Sequence, residues 1–289
     1  MSEDTNISLS YDPLILHKKR RYSYSRIQTY EHCPKSYFWR YVLGLYPKVQ
    51  TGNALQIGSI THELRDLYAK QELTNEFLAN YEDWCTKKYP HHSESEVLDI
   101  ATQALSLFQV FMEHDTRVPL NWVSSETHME LDTGEYVLYT RVDGLARTED
   151  QRLWREELKT TSKLDSAYLN GLKGGVQAGI AYLVMKESVP EPVQGTCYDL
   201  LVKTKIPQCH RTFVQAERGL EQLTWDCING VHAALEREDY HPSMSCFYYN
   251  RSCEYLSLCK GVTQHTLNTF FEKRDPFLPE PEETKEEIE

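Results

Sequence analysis

The spacing of apolar residues predicts a helical first half of the chain. An aromatic-rich stretch, Ser23–Tyr41, is typical of a helix entered through Ser23 or Ser25. Apolar residues then recur at intervals of three and four, as on one face of a helix, in three further stretches. These stretches are Ile57–Lys70, Asn75–Lys88 and Glu94–Glu113. They predict a helical insertion over about residues 66–115, between the N-terminal helix and a sheet.

From about Val123 the pattern changes to the alternation that is typical of strands. The predicted strands are Tyr136–Arg147, Leu153–Thr160 and Gly195–Lys205, and the predicted helices between and after them are Gly175–Glu187 and Gly219–Arg237. A cysteine-bearing loop follows, from Ser243 to Cys259. This order predicts an α/β fold with a central mixed sheet flanked by helices.

Composition favours an intracellular protein. Hydrophobic residues make up 40% of the 289 residues and charged residues 26%, which is ordinary for a globular chain. No apolar run approaches the roughly 20 residues that span a bilayer, and Met1–Ser10 lacks an apolar signal core. We therefore expect a cytoplasmic location, no membrane partner, and eight cysteines that are mostly thiols or metal ligands rather than disulfides.

The formal net charge of −12 is distributed unevenly. Seven acidic residues and one lysine lie between Asp275 and Glu289, so this tail carries half of the net charge. The opposite end is basic, with Lys18, Lys19, Arg20 and Arg21 followed by Arg26. The sequence predicts a basic, partly disordered arm over residues 1–22 and a C-terminal helix with an acidic tail over residues 263–289. Because phosphate binding depends on local charge, net acidity does not exclude a nucleic-acid partner.

The densest candidate chemistry lies on the first two predicted strands. If the turn between them centres on Asp150, paired residue numbers sum to 300 and Asp143 lies opposite Glu157. Glu157 and Lys159 share a face because side chains alternate along a strand. Two carboxylates in this arrangement repel each other unless a divalent cation lies between them, and hard oxygen ligands suit magnesium or manganese. A metal with a neighbouring lysine can polarise a phosphate and stabilise its charge in the transition state. The alternative is an ordinary Glu-x-Lys pair on a solvated sheet face.

Asp143-Gly144, followed by Glu157-Leu158-Lys159-Thr160, resembles the motif of the PD-(D/E)XK nucleases. The pattern is most similar to the RecB-like branch, which includes CRISPR-associated iron–sulfur exonucleases and the nuclease domain of AddB, and it also fits a phage exonuclease. Further segments resemble that branch in the family order: Ser25-Arg26-Ile27 with Tyr30 and Cys33-Pro34, Gly58-Ser59-Ile60-Thr61-His62, Gln177, and Leu201–Lys205. The resemblance covers about Ser23 to Cys259, and it implies a restriction-endonuclease-like nuclease domain over residues 23–262.

The resemblance also implies roles for individual residues. Asp143, Glu157, the backbone carbonyl of Leu158 and His62 would bind the metal, and Lys159 and Gln177 would complete the catalytic set. For His62 the alternative is a packing role on its helix. One departure concerns the helix motif, because Ala181 stands where the family has tyrosine and Tyr182 comes one residue later. The departure concerns the tyrosine and not Gln177, and Tyr182 is the candidate contact with nucleic acid on this helix.

The resemblance assigns Cys33, Cys246, Cys253 and Cys259 to a 4Fe–4S cluster. Short cysteine knuckles, which structural zinc prefers, are absent from this set, and a proline next to a cysteine is common at clusters. Such a cluster would join the N-terminal helix to the C-terminal segment. Zinc in the same site and unliganded thiols remain alternatives. The other four cysteines have no such spacing and are expected to be small core residues.

These features together predict a divalent-metal-dependent nuclease, an exonuclease acting on single-stranded DNA ends. Lys203 and Lys205 alternate on the predicted strand and could face a phosphate backbone, or they could lie on a solvated edge. The tyrosines of the N-terminal helix could stack on bases, although aromatic residues at helical spacing are usually core. The rival interpretations are a non-catalytic DNA-binding subunit and a nuclease that needs a helicase or CRISPR-integration partner.

Overall fold

The computed structural model describes residues 19–48, 53–173, 175–244, 246–248 and 251–276. The helices in chain order are α1 (Tyr24–His32), α2 (Pro34–Tyr37), a π-helical turn (Phe38–Val42), α3 (Asn53–Ala69), α4 (Asn75–Ala79), α5 (Tyr81–Lys88), α6 (Glu94–Arg117), α7 (Ser166–Lys173), α8 (Val176–Ser188), α9 (Arg218–Glu236), α10 (Leu256–Lys260) and α11 (Gln264–Phe270). The strands are β1 (Arg21–Tyr22), β2 (Leu45–Pro47), β3 (Asn121–Asp132), β4 (Val137–Arg147), β5 (Leu153–Thr161), β6 (Val193–Val202), β7 (Gln208–Gln215), β8 (Phe247–Tyr248), β9 (Arg251–Ser252) and β10 (Phe271–Lys273).

These elements form two units. The described residues within 53–130 and 140–221 form one, the sheet unit, and the described residues within 19–48, 131–139 and 222–276 form the other, the cysteine unit. Each unit has its own hydrophobic cluster. No helix in the described ranges combines the length and the apolar character needed to span a bilayer.

In the sheet unit, β4, β5, β6 and β7 are neighbours in that order, and β3 also pairs with β4. The β4–β5 and β6–β7 pairs are antiparallel, whereas β5 and β6 are parallel. A parallel pair needs a long crossover connection, and α7 and α8 lie in that connection between β5 and β6. The predicted mixed α/β sheet is confirmed.

Helices cover both faces of this sheet. Leu158 of β5 is fully buried in a cluster with residues of α3, α5 and α6, such as Leu64 and Phe108. Its neighbour Glu157 points to the opposite face, where it contacts Gln177 of α8. The burial of apolar side chains between each helix layer and the sheet supplies the main stabilising free energy of this unit.

The predicted register of β4 and β5 is confirmed. The ladder runs from Arg147 opposite Leu153 to Gly144 opposite Glu156, so paired numbers sum to 300. If the same register is extended by one residue beyond this ladder, Asp143 lies level with Glu157. Position 144 favours glycine for steric reasons, because a Cβ atom there would lie 2.6 Å from the ring of Trp122.

Two predicted boundaries in the sheet unit were wrong. The third predicted strand ends at Val202, so Lys203 and Lys205 lie in the following loop and do not share a strand face. The hydroxyl of Thr204 donates a 2.6 Å hydrogen bond to the carbonyl of Ile206, and this local turn ends the strand. The predicted helix over residues 75–88 is likewise two helices, α4 and α5, which meet at Asn80.

Two elements of the sheet unit were not predicted. Strand β7 follows Pro207 and consists mainly of polar residues, because it lies at the edge of the sheet with alternate side chains in solvent. Helix α7 is a short amphipathic helix without fully buried residues. In both elements the periodic pattern of apolar residues is weak, and therefore the sequence did not predict them.

The predicted N-terminal helix was wrong in its length. The side chain of Ser23 caps α1 as expected, but α1 ends at His32 and Cys33 is extended, with φ −161°. Proline disfavours the helical conformation of the residue before it, so Pro34 interrupts the helix and begins α2. This break leaves Cys33 at a junction between two helices.

Most of the predicted N-terminal aromatic residues are core residues of the cysteine unit. Tyr22, Tyr30, Tyr37 and Trp39 are all less than a tenth exposed. This confirms the packing interpretation for these four side chains. Base stacking by them would require that they leave the core.

A small two-stranded sheet, β2 with β10, joins the N- and C-terminal parts of the cysteine unit. The hydroxyl of Tyr255 donates a 3.0 Å hydrogen bond to the carbonyl of Leu45. Gly44, just before β2, has φ +65°, and a Cβ there would lie 2.0 Å from the carbonyl oxygen of Arg274. Only glycine fits this close approach of two chain segments.

Part of the predicted basic arm is engaged within the cysteine unit. Lys19 forms an ion pair with Asp132, and Arg20 pairs with Glu236 at 3.0 Å. The guanidinium of Arg26 is buried, and its Nε donates a 3.0 Å hydrogen bond to the hydroxyl of Tyr139. Residues 1–18 of the arm and 277–289 of the acidic tail lie outside the described residues.

The stability of the sheet edge depends on Arg211 of β7. Its side chain is 3% exposed and donates to both carboxylate oxygens of Asp199, at 2.7 and 2.8 Å, and to Asp115 at 2.9 Å. The two carboxylates are buried as deeply as the guanidinium. One cation therefore compensates two buried anions.

We predict that Arg211→Met destabilises the protein by about 3–5 kcal/mol, because it leaves buried carboxylates without a partner. Urea unfolding followed by circular dichroism measures the effect. The matched control is Arg152→Met, which removes a solvent-exposed pair with Asp150 and should leave the midpoint of unfolding nearly unchanged. Equal losses in the two variants would contradict this account of the buried network.

Candidate active site

Asp143 of β4 is held in place by two neighbouring elements. Its Oδ2 accepts a 3.0 Å hydrogen bond from the backbone N–H of Leu158, and its carbonyl accepts a 2.6 Å bond from Arg65 of α3. Burial would raise the pKa of Asp143, but nearby positive groups, including Arg65 and Lys159, outweigh it and keep that pKa below the usual range. The carboxylate is therefore ionised and rigidly oriented.

His62 of α3 lies beside this carboxylate. Its Nδ1 is 3.3 Å from Asp143 Oδ2, yet Nδ1 is buried and makes no hydrogen bond in the described structure. Burial lowers the pKa of His62 to about 4, so the imidazole is neutral at neutral pH. A neutral imidazole nitrogen and a carboxylate oxygen at this separation are both suitable ligands for one cation.

Glu157 lies at the centre of a second set of contacts. Its Oε1 is 2.5 Å from Lys159 Nζ and accepts a 3.2 Å hydrogen bond from the side-chain amide of Gln177. Its Oε2 pairs with the buried Arg155. Lys159 Nζ also donates a 3.0 Å bond to Gln177 Oε1, so these residues form a closed network. Burial lowers the pKa of Lys159.

Glu156, the neighbour of Glu157, has a different environment. It is fully buried on the opposite face of β5, 3.5 Å from the guanidinium of Arg65. Burial raises the pKa of Glu156 to about 8. Of the two glutamates, it is Glu157 that contacts Lys159. The Glu-x-Lys pairing of the sequence motif is therefore present in the structure.

One group of potential ligands in the sheet unit includes a residue that the sequence did not indicate. Ligand atoms of His62, Asp143 and Glu126 all lie within 4.8 Å of one another, and Glu157 is not part of this group. Glu126 lies in the middle of β3 and belongs to no recognised motif. Its position depends on the conformation of β3, which alternation of side chains alone does not reveal.

A second group of possible ligands consists of His114, Asp199 and Cys209. Both oxygens of Asp199 already accept hydrogen bonds from Arg211. This group is therefore part of the buried ionic network at the sheet edge. The expectation of a core role for Cys209 agrees with its partial burial.

The four predicted cluster cysteines all belong to the cysteine unit. Cys246 and Cys253 flank the β8–β9 hairpin, and the N–H of Cys253 donates a 2.7 Å bond to the carbonyl of Cys246. The Oγ of Ser36, two residues after Pro34, is 3.7 Å from Cys253 Sγ. Trp39 Nε1 donates to Cys259 Sγ at 3.4 Å.

Cys33 has the environment of a thiolate ligand. Burial raises its pKa, but hydrogen bonds from Ser243 and Ser36 outweigh this effect and bring the pKa of Cys33 to about 7. Ser36 contacts both Cys33 and Cys253, and Ser243 lies against both Cys33 and Cys246. The donor set therefore fits a thiolate-bound group.

The predicted nucleic-acid contacts are dispersed. Lys203 is half-buried and Lys205 is exposed, both in the loop after β6. Tyr182 is half-buried on α8, and Ala181 before it is fully buried in the core. The structure does not bring these three residues into contact with the Glu157 network.

Comparison with known proteins supports the family. The sequence has no significant match among curated proteins. The model of the PD-(D/E)XK nuclease superfamily matches residues 21–260. The chain is similar in fold to the "putative exonuclease" of Eubacterium rectale, with a TM-score of 0.54, 12% identity, and coverage of 88% of this chain and 93% of that chain.

A further solved structure, SSO0001, matches with a TM-score of 0.29, 13% identity, and coverage of 61% of this chain and 84% of that chain, which is too weak to support an argument. The family match extends over the elements that carry Asp143, Glu157 and Lys159. This chain belongs to the PD-(D/E)XK nuclease superfamily.

Proposed function

We propose that this nuclease is a divalent-metal-dependent deoxyribonuclease that removes nucleotides from single-stranded DNA ends. The observation that carries the proposal is the presence of two groups of functional side chains, one around Asp143 and one around Glu157. His62 and Asp143 present adjacent ligand atoms, and Lys159 is held beside Glu157 by Gln177. A site of this composition combines metal ligands with a positive group at the position of a scissile phosphate.

The proposed metal ligands are Asp143, Glu157, the carbonyl of Leu158 and His62. Carboxylate oxygens suit magnesium or manganese, and the imidazole nitrogen favours manganese somewhat. When bound, such an ion polarises the phosphate and lowers the pKa of the attacking water. The unpaired Nδ1 of His62 beside Asp143 supports this assignment, because a cation would satisfy both atoms.

The protein groups supply orientation and charge. Lys159, whose side chain is partly buried, positions the attacking water or stabilises the additional negative charge on the phosphate in the transition state. Gln177 accepts from Lys159 and donates to Glu157, so it restricts both side chains to one geometry. Arg65 orients Asp143 through a hydrogen bond to the backbone carbonyl of Asp143, and its guanidinium also lies 3.9 Å from the carboxylate.

Exonuclease action is supported by two likenesses. The sequence motifs resemble the RecB-like branch, and the structural neighbour from Eubacterium rectale carries an exonuclease name. We include recombination, repair and CRISPR adaptation as candidate pathways, and a helicase or CRISPR-integration protein as a candidate partner. Lys203, Lys205 and Tyr182 are proposed DNA contacts.

We also propose that Cys33, Cys246, Cys253 and Cys259 bind a 4Fe–4S cluster. Support comes from the resemblance, from the low pKa of Cys33, and from the donors that Ser36 and Trp39 present to sulfur atoms. Hydrogen bonds to cluster sulfurs are a usual means of tuning such a cluster. Its structural role would be to tie the α1–α2 junction to the C-terminal cysteine segment of the same unit.

We predict that Asp143→Ala and Lys159→Ala each reduce DNA cleavage by at least about 10²–10³-fold, because each removes a metal ligand or a charge that stabilises the transition state. End-labelled single-stranded and duplex DNA, incubated with manganese, magnesium or EDTA, measures the loss. The matched control is Lys163→Ala, an exposed lysine four residues after Lys159.

Far-UV circular dichroism must show that each variant is folded. Wild-type rates in either active-site variant would overturn the assignment. If the wild type cleaves no DNA with any metal, the result would favour the alternative function, a DNA-binding subunit or a nuclease that needs a partner.

We predict that Cys253→Ser abolishes the brown visible absorbance expected of the cluster and lowers thermal stability, because one of four ligands is lost. Anaerobic purification with iron and sulfide analysis measures both quantities. Cys227→Ser, at a half-buried position on α9, is the control and should retain iron. A colourless wild-type protein with stoichiometric zinc would contradict the cluster.

A further inference from the structure

Glu126 adds a third potential ligand to the pair formed by His62 and Asp143. Ligand atoms of the three residues lie within 4.8 Å of one another. The Glu126 side chain is 8% exposed, so its carboxylate is nearly removed from water. Nothing in the sequence motifs of the site accounts for a third buried acidic residue here.

The backbone of β3 is distorted at this residue. Glu126 has φ +49°, in the left-handed region that residues other than glycine rarely adopt. The other non-glycine residues with positive φ in the described part of the chain lie outside helices and strands: Gln71, Gln151 and Glu238. Among the non-glycine residues of the described strands, only Glu126 has a positive φ. Backbone strain of this kind persists where surrounding structure enforces it, and it clusters at functional sites.

The distortion turns Glu126 towards the site. Successive side chains of a regular strand point to opposite faces, but Ser125 and Glu126 both approach Arg65 of α3. The alternation of exposed and buried residues is interrupted from Ser124 to Thr127, all four of which are partly buried. A regular β3 would direct the Glu126 carboxylate away from His62 and Asp143.

Glu126 also lies close to two arginine side chains. Glu126 Oε2 lies 3.2 Å from Arg141 Nε, and Oε1 lies 3.8 Å from Arg65. Arg141 is a quarter exposed and could pair with a carboxylate at the surface, without burying one in a strained conformation. Burying two carboxylates, those of Glu126 and Asp143, beside a neutral imidazole is favourable when a divalent cation binds between them.

We propose that Glu126 is a ligand of the same divalent ion that Asp143 and His62 bind. The inference rests on the proposed metal-dependent function and adds to it a ligand outside the family motif. One imidazole nitrogen and two carboxylate oxygens are a donor set that suits manganese.

The test is manganese affinity, measured by isothermal titration calorimetry on EDTA-treated full-length protein without DNA. Glu126→Gln keeps the shape of the side chain but removes its charge, and we expect Kd to rise at least about 10-fold, which corresponds to about 1.4 kcal/mol. Glu126→Asp keeps the charge next to Arg141 but withdraws the carboxylate by one methylene, and it should also weaken binding. The matched control is Glu130→Gln, an exposed glutamate on the same strand, which should bind as the wild type does.

The Glu126→Asp variant keeps the test valid if Glu126→Gln does not fold. Urea unfolding of each metal-free variant measures whether it is folded. If the wild type binds manganese and both Glu126 variants bind it with wild-type affinity, this inference is overturned and the proposed function stands. If the wild type binds neither manganese nor magnesium, both are overturned. Weakened binding in folded Glu126 variants, with unchanged binding in Glu130→Gln, supports the assignment.

Discussion

The antiparallel pairing of β4 with β5 is the constraint on which the candidate site depends. Its register pairs Gly144 with Glu156, and the N–H of Leu158 reaches Asp143 Oδ2. A slip by one residue would exchange the two faces of β5, so that Glu157 and Lys159 would face α3 and α6, and Leu158 would face α8. The hydrophobic burial of Leu158 therefore helps to maintain the register that the chemistry needs.

This part of the fold could be predicted because its determinants are local. A polar turn around Asp150, alternating side chains and a glycine after Asp143 are all visible in the sequence. The structure supplies the reason for the glycine, namely the ring of Trp122 packed against it. The mixed sheet and the main helices follow from apolar periodicity in the same way.

Other features depend on contacts that periodicity does not report. Pro34 divides the N-terminal helix, because the proline restricts Cys33, and aromatic spacing across the break conceals this effect. Strand β6 ends at Val202 because Thr204 forms a local turn, so an apparent alternation of Lys203 and Lys205 was misleading. The approach of Glu126 to His62 arises from one left-handed residue, a conformation that no residue type at that position indicates.

The placement of Arg211 has a consequence for association between molecules. β7 is the terminal strand of the described sheet, and an exposed edge strand offers unpaired backbone groups to a strand of another chain. An inward-pointing charge makes such an edge intolerant of displacement, because a shift of β7 would remove the cation from two buried carboxylates. The ion pairs of Arg211 thus favour a single alignment of the edge strand and disfavour its exchange or extension into aggregates.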